Sequence, residues 1–435
     1  MQIKQTFKRI VSHEFVRHAA TLVTGNAVGQ AVAFAAYLVL CRLYLPADFG
    51  LFNLFLSIGG FLTFFTTCSF HYAIVLPAND KYGWACVRIC LGFNLLCTLL
   101  CTVGCTLLRH TVAQWFSTPD LALYLPFMGL YVCINGLWAT LNYWYIRRNR
   151  FNRIASYQSY QPALSAACKA ACVQLPHGGV LNGGLITGTL VGQTLAVGIA
   201  ATGLRQQLRH PFATSRTVLL ACLRKYSNFL RFTFPKDLVN YLGGNLPVLL
   251  LAIYFSEAQI GFYGMAFALS MRPINLLVNS FYQSLYQQSI GRYHQKQSLV
   301  FLFRLFGKAC LVAVPAFALL YYVLPPLVGW LLGEGWGETA TLLRMMLPWL
   351  LCTLLCNPFD YLADIFSKQD RLLLFEIAET LLRAGALAVG IACGNFAWAV
   401  GLYGLASCLV ILPRTAWYAR LILQYEKNIP HEEIV

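Results

Sequence analysis

The chain has 435 residues, 58% of them hydrophobic and only 11% charged, with a mean hydropathy of +0.60. A soluble domain carries about a quarter charged residues, so this composition excludes a water-covered globule and calls for lipid around most of the surface. The net charge of +16 is spread unevenly, and its placement accounts for it without a nucleic-acid partner.

A basic leader with Lys4, Lys8, Arg9 and Arg17 precedes an apolar segment from about Ala19 to Tyr44. That segment is too long for a signal-peptide core, so it is expected to be a permanent span. The chain then turns at RLYLPADFGLFNLF (42–55), where Pro46 and Gly50 end the first span and Asp48 can cap the next helix. Later runs such as LLCTLLCTVGCTLL (95–108) and LLLAIYF (249–255) are continuous rather than alternating. They predict helices, not barrel strands.

Charge clusters and turn residues divide the chain into twelve expected spans, near 19–44, 49–76, 84–108, 121–146, 154–175, 181–204, 236–255, 259–289, 300–324, 340–366, 371–393 and 396–423. Both termini and the loops at even intervals hold 26 of the 32 Lys and Arg residues, whereas the opposite loops hold only Arg42, Arg109 and Arg344. The positive-inside rule then sets both termini in the cytoplasm, and the basic loops face anionic inner-leaflet lipid. The expected organisation is an all-α polytopic membrane protein with an N-terminal lobe (1–210), a basic cytoplasmic linker with an amphipathic helix (211–235) and a C-terminal lobe (236–435). A shift of 211 residues maps Ala47 onto Ala258, Gly50 onto Gly261, Leu38 onto Leu249 and Leu40 onto Leu251. Spans 1–2 and 7–8 therefore resemble one hairpin used twice, as in duplicated six-span transporters.

The sixteen cysteines fall mostly inside spans, among them Cys86, Cys90, Cys97, Cys101 and Cys105, and are expected to act as small hydrophobes. Polar residues inside spans are more informative, because a charge at mid-bilayer costs at least about 2.5 kcal/mol. Lys169 in span 5, Arg272 in span 8 and Arg383 in span 11 stand out. In span 8 the series Arg272, Asn275, Asn279, Gln283, Gln287 lies on one helical face. Span 5 offers Gln158, Gln161, Ser165 and Lys169, and span 1 offers Asn26 and Gln30. Such stripes fit either a hydrophilic interior or hydrogen bonds that hold a bundle together. The acids of the first half (Glu14, Asp48, Asp80, Asp120) lie outside span interiors, so Lys169 is either an anion site or a snorkelling lysine.

In the second half Glu379 and Arg383 are spaced to pair. Asp237 suits a helix N-terminus, and Asp360 and Asp364 share a face; Asp237 and Asp364 are the candidates for coupling to Na⁺ or H⁺. Trp138, Tyr131, Tyr145, Tyr282 and Tyr286 lie beside polar faces, suited to sugar stacking or to packing. No P-loop, G-x-S-x-G or H-E-x-x-H occurs, so no catalytic residue, metal or cofactor is expected.

The stretches LVTGNAVGQAVAFAAYLVLCRLYLPADFGLFNLFLSI (22–58) and HYAIVLPANDK (71–81) resemble the opening of Wzx-type polysaccharide flippases of the multidrug/oligosaccharidyl-lipid/polysaccharide (MOP) exporter superfamily. FPKDLVNYLGGNLPVLLLAIYFSEAQIGFYGMAFALSMRPINLL (234–277) and LLGEGWGETATLLRMMLPWLL (331–351) resemble its second half, except that Ser256-Glu257 stands where the first turn has Pro-x. The resemblance implies a V-shaped pair of six-helix lobes in a bacterial inner membrane. It implies alternating access for an undecaprenyl-diphosphate-linked oligosaccharide, carried to the periplasmic leaflet for O-antigen (lipopolysaccharide), capsule or exopolysaccharide assembly. A monomer that works beside a polysaccharide polymerase and a chain-length regulator is expected. No family motif fixes a ligand set, so the expected binding residues rest on burial and charge: Lys169, Arg272, Arg383, Asn275, Asn279, Gln283 and Gln30. Two alternatives stand beside this one. A MATE-like drug exporter would carry a buried acid in its first lobe, and a membrane polymerase or ligase would carry a large outer loop, whereas the outer loops here (109–120, 325–340) are short.

Overall fold

The computed structural model describes residues 25, 28–173, 184–202 and 215–427, and among them there is no strand. Asn26, one of the span-1 residues singled out above, lies outside the described residues. The principal helices are α1 (28–40), α2 (Pro46–Thr67), α3 (Asp80–Leu107), α4 (Met128–Arg147), α5 (Phe151–Val173), α6 (Gly184–Ala201) and α7 (Arg216–Lys225). There follow α8 (Phe234–Tyr254), α9 (Glu257–His294), α10 (Phe301–Leu332), α11 (Gly337–Cys356), α12 (Gln369–Ala392) and α13 (Phe396–Lys427).

Among the described residues, seven helical segments are long and apolar enough to cross a membrane. They are Pro46–Ile74, Asp80–Leu107, Leu121–Arg147, Gly184–Ala201, Phe301–Leu332, Gly337–Ile365 and Phe396–Lys427. The pair Phe229–Val239 and Tyr241–Tyr254, bent by 41°, makes an eighth if counted as one. This is fewer than the twelve crossings expected. Helices α5, α9 and α12 are long enough, but their polar and charged residues lower their hydropathy. α10 has only 6% of its apolar window buried within the protein, with Leu311, Val312, Leu319 and Tyr322 exposed. In water such a face would be unstable, so lipid must cover it.

The chain forms two compact units, Met1–Gly261 and Phe262–Val435. In the first, a core of Phe70, Ile74, Trp84, Cys86, Cys90, Trp144 and Tyr145 gathers the ends of α2, α3 and α4. The cysteines in it are buried and free, and no group of residues among those described could hold a metal ion. Helix α6 carries glycines at 184, 188 and 192, so the backbone of α5 comes very close. A Cβ on Gly188 would fall 2.6 Å from the Lys169 Cα, and one on Gly192 2.5 Å from the Ser165 Cα. Helix α8 packs on α2: Tyr241 donates its hydroxyl to the Ser57 carbonyl at 3.0 Å, and its ring meets Phe64. That contact is why α8 falls within the first unit, although the sequence repeat makes it the first helix of the second half.

The expected turn at 45–50 is present. Pro46 opens α2, and Asp48 Oδ2 accepts the Leu45 N–H at 2.8 Å, which satisfies an otherwise orphan donor. α2 ends at Cys68 and Ser69, both in the left-handed region at φ 45° and 57°. The segment beyond is held by Arg147, whose Nη1 donates to the carbonyls of Ile74 (3.1 Å), Val75 (3.3 Å) and Pro77 (2.6 Å). Its Nε and Nη2 bind Asp80 Oδ1 at 3.1 and 3.0 Å. Arg148 takes the other carboxylate oxygen at 2.9 Å. In the linker, α7 turns Cys222 inward toward the Tyr82 carbonyl and leaves Arg216, Arg224 and Lys225 exposed, the amphipathic pattern expected of it.

In the second unit one core cluster joins Leu285 of α9 to Leu299, Leu302, Phe359, Tyr361, Leu362, Tyr418 and Ile422. A second contact region has Trp349 edge-on to Tyr403 between α11 and α13.

Candidate functional site

Helix α9 is among the more polar of the long helices, and its second-unit portion has a packed side and an outer side. Met271, Ile274, Val278, Leu285 and Ser289 are buried. Arg272 is half-buried, and Asn275 and Asn279 are exposed. The packed side is mainly apolar, and the outer side carries the two amides beside the exposed Leu276, Leu277 and Phe281. A bundle-gluing role would bury the amides instead. The side chains of Gln283 and Gln287 lie outside the described residues. Near the lower end of the same helix, Tyr282 and Tyr286 are half-buried, with nearly parallel rings 6.2 Å apart, and both meet the Tyr361 ring.

Arg383 sits in quite different surroundings. It forms the i,i+4 ion pair with Glu379 that the sequence spacing allows. Its Nε donates to Ser407 Oγ at 2.6 Å, and its guanidinium lies 5.4 and 5.1 Å from the ring centroids of Trp349 and Tyr403. Glu379 is shared: its second oxygen is 3.8 Å from Arg414 Nη1. Arg414 also pairs with Asp360 Oδ1 at 3.3 Å and donates to Asn357 Oδ1 at 2.8 Å, while the Tyr418 hydroxyl donates to Asp360 at 3.0 Å. Two cations and two carboxylates thus neutralise one another between α11, α12 and α13. The positive-inside count had assigned Arg414 to a cytoplasmic end. Within α13 its side chain is buried, because its charge has two acids to meet there. Asp364 lies outside this network, exposed, and accepts from Gln369 Nε2 at 3.3 Å.

In the first unit, Lys169 is 9% exposed, with its Nζ 4.5 Å from the centroid of the Phe52 ring. Ser165 is buried one turn below it and accepts from Gln161 Nε2 at 3.3 Å. The span-5 series therefore packs between α2, α5 and α6 rather than lining an open face, and the glycines of α6 cause this by admitting α5 so closely. Gln158 keeps its Oε1 buried without a hydrogen-bond partner among the described residues. Gln30 is half-buried on α1, next to Gly29, whose Cβ would meet the Gln158 carbonyl. Of the aromatic residues beside these faces, Tyr131 and Tyr145 are buried, and Trp138 stacks on Tyr157.

Asp237, in the first turn of α8, accepts from Ser69 Oγ at 2.9 Å and lies 3.5 Å from Lys236 Nζ. Beside it His71 is hydrogen-bonded to Thr67 and packs between the rings of Tyr72 and Tyr143. Sequence reasoning found Asp237 but not this setting. Its one signal was the polar run Ser69–Tyr72 at the end of an apolar span.

Comparison with solved structures places the fold. A multidrug resistance MATE family transporter of the MOP superfamily, in an inward-facing conformation, superposes with a TM-score of 0.67 at 13% identity, covering 94% of this chain and 96% of that one. The lipid II flippase MurJ, in an inward closed conformation, gives 0.71 at 12% identity, with 95% and 88% covered. A MOP superfamily transporter from Pyrococcus furiosus, described as having a binding pocket of reverse polarity, gives 0.56 at 13%, with 94% and 96% covered. At these identities the likeness shows the fold alone, a MOP-type transporter fold. No curated protein matches the chain. The family described as polysaccharide biosynthesis protein matches residues 39–341, and the chain belongs to that family.

Proposed function

We propose that the protein is a flippase for lipid-linked oligosaccharides, which it moves from the cytoplasmic to the periplasmic leaflet of a bacterial inner membrane by alternating access. The cargo class is an undecaprenyl-diphosphate-linked repeat unit destined for surface polysaccharide. The observation that carries this reading is the polar stripe of α9, where Asn275 and Asn279 are exposed and Arg272 is half-buried on the same face. A diphosphate needs a cation and the sugar hydroxyls need amides, and a guanidinium binds phosphate oxygens through two parallel donors. In this reading Arg272 with Asn275, Asn279 and Gln283 receives the head group, and the isoprenoid tail stays in lipid.

The family to which the chain belongs works in polysaccharide biosynthesis, and one protein of the same fold is named a lipid II flippase; both support the reading. Twelve crossings with both termini cytoplasmic are part of the proposal, supported by the asymmetry of the basic loops. Lys169 and Arg383 were expected as head-group cations; the burial of Lys169 and the ion pair of Arg383 with Glu379 favour a supporting role for both. Asp237 and Asp364 are the proposed positions for coupling to Na⁺ or H⁺. Binding shifts the inward and outward populations only by its difference in affinity for the two.

The test is made in the native host, with the gene deleted and then restored as wild type or as Arg272→Ala. Lipid-linked repeat units are quantified on each leaflet alongside surface polymer. Complete units should accumulate on the cytoplasmic side and surface polymer should fall, partly for the Arg272 variant. Unpolymerised units outside would mean a polymerase, and unchanged pools would favour a drug exporter.

A further inference from the structure

The polar side of α9 ends in two tyrosines that the head-group site does not use. Tyr282 follows Asn275, and Tyr286 follows Asn279, by seven residues, which is two helical turns. The two rings therefore continue the amide stripe, at its border with the packed side. Behind them stands Tyr361, fully buried, which meets the Tyr282 ring at 5.7 Å and 86° and the Tyr286 ring at 5.7 Å and 68°. Tyr361 is itself fixed, with its hydroxyl 2.8 Å from Ser289 Oγ. The pair is thus braced from one side and held nearly parallel, with 19° between the rings and 6.2 Å between their centroids.

Their hydroxyls set these two tyrosines apart from their neighbours. Those of Tyr418 and Tyr425 donate to Asp360 and to the carbonyls of Tyr293 and Gln297. Among the described residues, the hydroxyls of Tyr282 and Tyr286 have no such partner. A tyrosine placed for packing finds one when it is buried. A tyrosine of the lipid-facing belt stands out from the protein, as Tyr322 does at 74% exposed, whereas these two are half-buried against Tyr361. The acids that act on Tyr282 are Asp364 and Asp360. Asp360 is taken by Arg414 and Tyr418, but Asp364 is exposed and accepts from the exposed Gln369 through Oδ1. This combination selects a ligand class. A phosphate would be repelled by Asp364, and a lipid chain offers nothing to hydroxyls. A pyranose has a face of C–H groups that suits the negative face of an aromatic ring. Its rim of hydroxyls donates to a carboxylate and accepts from a phenol or an amide.

We propose that Tyr282 and Tyr286, braced by Tyr361 and rimmed by Asp364 and Gln369, form a carbohydrate-binding platform for the sugar rings of the cargo, which rests on the flippase reading for whose sugars it meets. Arg272 lies ten residues before Tyr282, about 15 Å along the helix, so diphosphate and sugars have separate places on α9. Full-length protein in lipid nanodiscs is given oligosaccharide fragments released by mild acid from the host's own surface polysaccharide. Saturation-transfer NMR should show contact through the ring C–H protons of the sugar. Binding should weaken about tenfold in Tyr282→Leu and in Tyr286→Leu, which keep bulk but lose the ring. Tyr282→Phe keeps the ring and should lose no more than about threefold. A second arm needs no variant. The wild-type protein is nitrated with tetranitromethane and mapped by peptide; the fragments should protect Tyr282 and Tyr286 but not Tyr322, and inorganic diphosphate should protect neither. Absence of saturation transfer to the wild type, or leucine variants that bind as the wild type does, overturns the platform. So does protection by diphosphate in place of the fragments. If the leucine variants lose their cooperative melting transition, the nitration arm decides. Lipid-linked pools unchanged by gene deletion would sink the flippase reading, and the binding comparison would still decide the platform.

Discussion

Arg414 offers the sharpest energetic test of the second unit. Its side chain is 6% exposed and is held by Asp360, Glu379 and Asn357. In Arg414→Met the methionine fills much of the volume, but Asp360 keeps only the Tyr418 hydroxyl and Glu379 keeps Arg383 alone. Breaking one side of a buried pair costs about 3–5 kcal/mol, because a charge is left uncompensated. For a unit of this size each kcal/mol moves the melting temperature by about 2–4 °C, so a fall of about 6–20 °C is expected. The assay is thermal melting of purified full-length protein in detergent, followed by intrinsic fluorescence. The double variant Arg414→Met/Asp360→Leu distinguishes charge from shape. It leaves Arg383 and Glu379 balanced, so it should recover more than half of the loss even though two native residues are gone. A shift below about 2 °C for the single variant, or a double variant less stable than the single, would refute the view that mutual neutralisation holds these helices.

Gly188→Ala should destabilise the first unit by about 1–3 kcal/mol, since its Cβ meets the backbone of Lys169 rather than a movable side chain, and thermal melting reads this directly. Arg147→Lys should cleave faster than wild type at 74–80 in limited proteolysis, because a single ammonium cannot serve three carbonyls and a carboxylate at once. Glu257 is the first residue of α9, at the loop end, where burial first, then the nearby Asp120 and Asp48 carboxylates, push its carboxyl above the ordinary range, opposed by a bond to Thr118. An acid raised on folding holds its proton longer when folded, so stability falls as pH rises from its unfolded value through the raised one. Glu257→Gln should therefore raise the melting temperature at pH 8 and leave it unchanged at about pH 4.

Much of the fold could be read in advance because bilayer thickness and backbone hydrogen bonding allow so few solutions. The helices follow the apolar runs, and the turn at Pro46 is capped by the residue expected, Asp48. The candidate site was less legible, for a reason that Lys169 and Arg272 illustrate together. Both are lone cations in polar stripes at helical spacing, alike in one dimension. What buries Lys169 is the glycine series of α6, fifteen and more residues away in sequence, which draws α5 against it. Arg272 remains half-buried, because the neighbours of α9 cover Met271, Ile274 and Val278 instead. Periodicity reports which residues share a face, but not what stands opposite.

Arg414 carries the same lesson into charge counting. The positive-inside rule treats a basic residue near a span end as a topological marker. Arg414 has a second employment, because Asp360 from the turn beyond α11 and Glu379 from α12 come to meet it, a coincidence that exists only after packing. With Arg383 paired in the same network, the second unit spends two of its cations on its own acids. Arg272 has other neighbours: it is half-buried, with the exposed amides Asn275 and Asn279 one and two turns further along the same face of α9. Spacing alone groups Arg272, Arg383 and Arg414 as basic residues of the second half, and only packing shows which of them meet acids of their own unit.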